Sequence, residues 1–281
     1  MQAQAFNTLL TWPSDERQGS DSGKFESVFD NNRAASNPLD LLQSVSGAGV
    51  SLPGRNTALF DPESAYRMMT TINRKDVSYK AEFSEMNAMK SELAVMQEEG
   101  IKLGQIDITT DNESIVAQVQ QFAAAYNRWI DRFDQELEPG GILAGTRAAQ
   151  VSQWELEQSI ENIFHGAHDG IRGLPALGLT TNSLNNRAEF DVGRLSEMLT
   201  SNKTSVVGTL KEFGANFARS AELLISENNF VDNRLDNLSR AINFIDSNKA
   251  ALQTEFGRGD EFKPSGNTAL ALATYLANAK V

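Results

Sequence analysis

A row of apolar residues in the C-terminal third constrains this chain more than any other feature. Leu210, Phe217, Leu224, Val231, Leu238, Ile245 and Leu252 stand seven residues apart. Leu235, Ile242 and Phe256 fill the complementary positions from Val231 onward. A seven-residue apolar repeat draws one stripe along a helix, and that stripe needs a partner helix to cover it. Asn228 and Lys249 interrupt the second row, where they set register or partner choice, and Gly214 reads as an early break.

A second long helix supplies the natural partner. Asp61-Pro62-Glu63 is a helix start, with Asp as N-cap, Pro at the first helical position and an acid at the positive end of the dipole. Ile72, Tyr79, Met86 and Leu93 then follow at sevenfold spacing, with Met89, Met96 and Leu103 as a second row. Met69 and Phe83 fall on the side of the first row. Gly100 and Gly104 mark a fraying end. Helices over 61–103 and 210–256 would each run about 60–70 Å at 1.5 Å per residue, so one can lie along the other. We expect an antiparallel intrachain bundle with some stripe left for a neighbour. The Met row shares a face with Phe83 and Leu93, which favours core packing over an adaptable binding surface.

Between these rows lie shorter elements. Thr110-Asp111-Asn112-Glu113 reads as a capping box. Ile115, Val119, Phe122, Tyr126, Trp129, Ile130 and Phe133 follow as a 3.6-residue stripe, ended by Pro139-Gly140-Gly141. A third helix is expected over 146–164. Glycines then break the chain, and residues 177–184 and 188–190 read as two short strands around Asn185-Asn186. Asp191 caps the next helix, and Asn202 or Thr204 a further one. Residues 1–60 are Ser-, Asp-, Asn- and Gly-rich and read as a disordered N-terminal arm, with 38–45 as a transient helix. After Gly257 the chain loosens, and 268–280 reads as a short Ala-rich helix. The expected organisation is an arm (1–60), a helical core (61–256) and a loose tail (257–281).

Composition removes several functions. The 281 residues carry 25 basic and 37 acidic side chains, a net charge of -12, and no cysteine. Disulfides, thiol nucleophiles and Cys-based metal sites are excluded. An acidic chain is a poor partner for nucleic acid or an anionic membrane. No stretch approaches a membrane span, and the start has no cleavable signal pattern. His165 and His168 are the only histidines; with glycines beside them they read as a helix end rather than a metal site. No Gly-x-Ser-x-Gly elbow is present, Gly47-Ala48-Gly49 lacks a third glycine, and Glu98-Glu99 and Asp260-Glu261 read as solvated faces. Arg258-Gly259-Asp260 reads as a turn after the long helix, and the sequons at Asn112, Asn202 and Asn237 as caps or surface. Neither catalytic residues nor a cofactor or metal is expected.

Four pieces in series carry a resemblance. They are Phe122-Ala123-Ala124-Ala125-Tyr126-Asn127 with Ile130; Gly141-Ile142-Leu143-Ala144-Gly145; Leu177-Gly178-Leu179-Thr180-Thr181 with Ala188-Glu189-Phe190-Asp191, Leu195, Leu199, Asn202 and Val206; and the heptad helix after Phe230. In this order, 115–256 resembles the C-terminal part of the bacterial flagellar hook-associated protein 2, or filament-capping, family. The family carries large domains between its N- and C-terminal helices, whereas here only 104–110 separate Leu103 from the next capping box. The resemblance implies a helical core without outer domains, export through a flagellar-type channel without a cleaved signal, and residence on an extracellular filament. It implies further copies of the chain, and flagellin or hook-junction proteins, as partners.

The expected fold is mainly α: an elongated antiparallel bundle or coiled coil with one small β-hairpin. The expected function is structural, a cap-like axial protein that self-assembles through coiled-coil faces. The face is placed at Leu224, Val231, Leu235, Leu238, Ile242, Ile245, Leu252 and Phe256, with Ile72, Tyr79, Met86 and Leu93. The alternative is a soluble adaptor or export-chaperone-like module whose Met-rich face holds an amphipathic helix of a partner.

Overall fold

The computed structural model describes residues 61–162, 164, 166–168 and 170–279. The expectations placed on 1–60, including the arm, the 38–45 helix and Gly47-Ala48-Gly49, lie outside the described residues, as does His165. Helix α1 (Pro62–Gly104) is followed by α2 (Asn112–Leu137) and α3 (Arg147–Glu161). Two antiparallel strand pairs come next. β1 (Ala167–His168) pairs with β2 (Ile171–Arg172), and β3 (Leu179–Thr181) pairs with β4 (Ala188–Phe190), with the short α4 (Gly173–Ala176) between them. Helices α5 (Val192–Ile225), α6 (Phe230–Phe256) and α7 (Gly266–Asn278) complete the chain. The fold is mainly α, with a small hairpin at 179–190 as expected and a second two-residue pairing at 167–172 that the sequence reading did not contain.

The helix starts follow local chemistry. Asp61 accepts the Glu63 and Ser64 amides at 3.2 and 3.3 Å, and Pro62 needs no acceptor. Asp111, not Thr110, caps α2, accepting the Ser114 amide at 2.8 Å. Thr110 instead turns back to accept the Asp107 amide. Asp191 caps α5 through the Arg194 amide at 2.9 Å. Within α5, Asn202 leaves helical geometry and caps the second segment, its Oδ1 3.2 Å from the Ser205 amide. Helix α3 ends at Glu161, before the expected 164, because Asn162 turns into extended backbone.

Helix α1, about 65 Å long at 1.5 Å per residue, is the spine. Helices α5 and α6 run antiparallel along it. Gly104 meets Gly214, Gly100 meets Ala218, Lys90 bonds Asp232, Lys80 bonds Asp246, and Asn73 reaches the carbonyls of Arg258 and Asp260. The intrachain pairing of the two long rows is therefore as expected. Two details differ. The C-terminal rod is broken at 226–229, where Asn228 takes φ 61°, yet Leu224 and Val231 on either side stay buried in phase. Gly214 is no break: it sits inside α5, where a Cβ would stand 2.4 Å from the Gly104 nitrogen. Gly100 likewise is buried, not fraying, and these glycines let two helix backbones touch.

An aromatic hub fills the space between α2 and α5. Phe122 meets Phe213 and Phe217 edge-on at 5.4 and 4.8 Å, and Trp129 packs on Phe133. All five are buried. The chain after Gly257 is laid along α1: Gly259 touches Met69 and Thr70, Asp260 accepts the Tyr66 hydroxyl, and the Asp260 amide donates to Thr70 at 2.8 Å. Helix α7 then rests on α1, with Tyr275 edge-on to Phe83 at 5.7 Å.

Candidate functional site

The residues singled out as an assembly face lie together, facing one another. Leu224, Val231, Leu235, Leu238, Ile242 and Ile245 are buried in one core with Ile72, Tyr79, Met86 and Leu93. Leu252 and Phe256 are only half-buried. Within one chain the rows thus cover each other, because α1 and the part of the α5–α6 rod from 210 to 256 are of matching length. Met86, Met89 and Met96 are core residues, so the Met-rich adaptor face does not reach the surface.

Halfway along α1 a belt of charged side chains crosses the bundle. Glu82 takes a two-pronged contact from Arg234 of α6, Nε to Oε1 at 2.6 Å and Nη2 to Oε2 at 2.8 Å. Thr146, the residue before α3, donates to the same carboxylate at 3.2 Å. One turn on, Glu85 pairs with Arg132 of α2. Glu136, also on α2, is buried; it accepts the Ile142 amide at 3.0 Å and the Asn267 side-chain amide at 2.6 Å. Two residues before Glu82, Lys80 lies 2.7 Å from Asp76 and 2.8 Å from Asp246. One level of α1 is thereby tied to α2, α3, α6 and the start of α7.

Burial shapes the protonation of this belt. It pushes the Glu85 carboxyl up, against the pull of Arg132, and the charge of Glu136 adds to the rise. Burial alone would lower Lys80, but its bonds to Asp246 and Asp76 outweigh that and hold the ammonium above its ordinary value. Burial also raises the Tyr79 hydroxyl. A buried ion pair returns little net stability, yet it penalises every misaligned register, because a slipped helix strands a charge. The belt's chemistry is positional: it fixes how far each helix slides along α1.

No single segment contains this belt, so sequence inspection missed it. The heptad pattern shows α1 facing α6, but not which charge meets which. The available signal was the interruption of the α1 pattern by buried acids, Asp76, Glu82, Glu85 and Glu99.

The other sequence candidates fall as follows. Among the described residues no three His, Asp or Glu converge to hold a metal. Glu98 is exposed while Glu99 turns inward and pairs with Lys102 at 2.6 Å, so this pair is not one solvated face. Arg258-Gly259-Asp260 is the strap on α1 described above. Asn202 is a cap, Asn112 begins α2, and Asn237 lies on α6 accepting from Arg240. No described helix is long and apolar enough to cross a membrane.

Comparison with known proteins adds a family. Residues 92–258 match the family model described as flagellar hook-associated protein 2 C-terminus. That span runs from the last turns of α1 through α6. Among solved structures, the chain is similar to the flagellar cap protein FliD D1-D2-D3 domains from Escherichia coli, at 20% identity and a TM-score of 0.39. The similarity covers 46% of this chain and 37% of that one. No curated protein matches the sequence.

Proposed function

Because this chain belongs to the flagellar hook-associated protein 2 family, we propose that it is a structural, cap-like axial part of a bacterial flagellum-type filament. The observation that carries the proposal is the family match across α2 to α6, the stretch that builds the hub and half the belt. In this reading the chain is exported, stays outside the cell on the filament, and associates with further copies of itself and with flagellin or hook-junction subunits. The role is mechanical rather than catalytic. A belt that locks register, and glycine-mediated backbone contact between α1 and α5, make a stiff rod of defined length. Stiffness suits a part that must present fixed surfaces to neighbours. The portion of the heptad face left for a neighbour is its open end, at Leu252 and Phe256.

Sedimentation velocity over a concentration series tests this. Growth from monomer to discrete larger species supports the proposal. A monomer at every concentration, alone and with flagellin added, counts against it. Substitutions at Leu238 or Ile245 are unsuited to this test, because both are core residues whose loss destabilises the fold itself.

A further inference from the structure

We propose that the turn between β3 and β4 is a docking knob, and that its seat is the groove between α1 and α7 on a second copy of this chain. The inference rests on the self-association proposed above and names a contact for it. Leu184 sits at the tip of the turn and is 93% exposed. The turn that holds it out is not slack. The Asn182 amide donates to the Arg187 carbonyl at 2.8 Å, and the Asn186 amide to the Asn182 carbonyl at 2.7 Å. The Asn182 side chain accepts the Leu184 amide at 2.9 Å, and the Asn185 side chain accepts the Arg187 amide at 3.1 Å. Asn186 occupies the left-handed region at φ 56°. The hairpin is in turn clamped to α2: Asn127 exchanges two bonds with the Ala188 backbone, at 2.9 and 2.7 Å, and Arg187 pairs with Asp131. An apolar side chain held rigidly in water loses little entropy on docking and suits the anchor of an interface.

The seat lies on another face. Phe83, Asn87, Ala88 and Ser91 of α1, with Tyr275 of α7, line a surface groove of about 400 Å³, a volume larger than a leucine side chain. Its floor is the edge-to-face pair Phe83 and Tyr275. Two facts select a second copy as the occupant. The chain has a net charge of -12, so identical copies repel except where they meet through uncharged surface. The turn from Asn182 to Asn186 carries no charged side chain, and neither do the residues that line the groove. The contact is heterologous, since each copy offers its knob to one neighbour and its groove to the other.

The absence of native cysteine makes cross-linking a clean test. Leu184→Cys and Ala88→Cys are made singly and together in the full chain, then oxidised mildly. The expected result is a covalent dimer from a mixture of the two single variants, a ladder of higher species from the double variant, and little cross-linking of either single variant alone. Leu184→Asp, at a solvent-exposed site, is expected to weaken self-association about tenfold or more by sedimentation, with unchanged helical content. Leu184→Cys linking to itself as readily as to Ala88→Cys overturns the proposal in favour of a tip-to-tip contact. Normal assembly of Leu184→Asp, without the mixed cross-link, overturns the seat and leaves self-association standing. A wild-type chain that never associates removes both.

Discussion

The waist of the rod and its open end use the same sequence device with different numbers of partners. At the waist, from about Lys80 to Leu103, α1 is covered by α2, α5, α6 and α7 and crossed by the charged belt. At the open end, Tyr66, Thr70 and Asn73 hold the strap at 258–260, and Arg74 lies over the Phe262 ring. The heptad rows run through both regions without a change of period. At the waist they give buried residues on both helices, such as Met86, Leu93 and Leu238; at the end Met69 and Ile72 of α1 are still buried, while Leu252 and Phe256 of α6 are half-buried. Periodicity therefore specifies which side of a helix is apolar, and the remaining elements decide how deeply that side is buried.

If this contrast is right, the largest losses fall at the waist. Trp129 is wholly buried in the aromatic hub. Trp129→Ala is expected to cost about 3–5 kcal/mol by chemical denaturation. A loss under 1 kcal/mol would mean that the hub is loosely packed. The belt comes next. Arg234→Met leaves Glu82 buried with only Thr146 as partner, and is expected to cost about 3 kcal/mol. Adding Glu82→Leu is expected to recover most of that loss, since removing both charges relieves the stranded one. A double variant no better than the single would show that the pair itself stabilises the fold.

These two tests also separate what was legible in the sequence from what was not. The hub was legible, because Ile115 to Phe133 repeat every three to four residues and the repeat alone fixes a helix face. The caps at Asp61, Asp191 and Asn202 were legible for a similar local reason: a short polar side chain reaches an amide two or three residues ahead. The hairpin was legible from paired short apolar runs around Asn185-Asn186. The belt was not, because Glu82 and Arg234 are 152 residues apart and nothing local joins them. The break at 226–229 was hidden by rows that stay in phase across it. Gly100 and Gly214 were misread because a glycine that permits backbone contact looks, in sequence, like one that ends a helix. The strap was underestimated since its anchors, Tyr66, Thr70 and Asn73, are polar residues of a distant helix.

A pH experiment probes the outer side of the waist, where α3 covers it. Burial raises the Glu157 carboxyl above its ordinary value, with Glu161 and Asp134 adding to the rise and Gln153 opposing it. The folded state thus prefers the protonated acid. Below about pH 4, where the unfolded chain is protonated too, this group costs nothing. As pH rises through the raised folded value, the fold must hold an ionised, half-buried carboxylate, and stability is lost. Glu157→Gln is therefore expected to match the wild type near pH 4 and to melt at a higher temperature than the wild type at neutral pH. An offset that stays constant with pH would mean that the substitution acts through packing instead.

The smallest effect tests the comparison most directly, because it applies one substitution at two points of one row. Leu238 and Leu252 are two heptads apart on α6 and point the same way. Leu238 is fully covered at the waist, so Leu238→Ala removes buried contacts and leaves a cavity, at a cost of about 3 kcal/mol. Leu252 is half-buried at the open end, where water already reaches one side and no closed cavity can form. Leu252→Ala is expected to cost about 1 kcal/mol in dilute protein. Equal costs would mean that the open end is as closed as the waist. The concentration dependence carries more information. If a neighbour covers Leu252 in the assembled state, the cost of Leu252→Ala grows with protein concentration while that of Leu238→Ala does not, since binding adds to the stability of the folded state by mass action. A Leu252 cost that is flat across concentration would mean that this end of the row meets no neighbour.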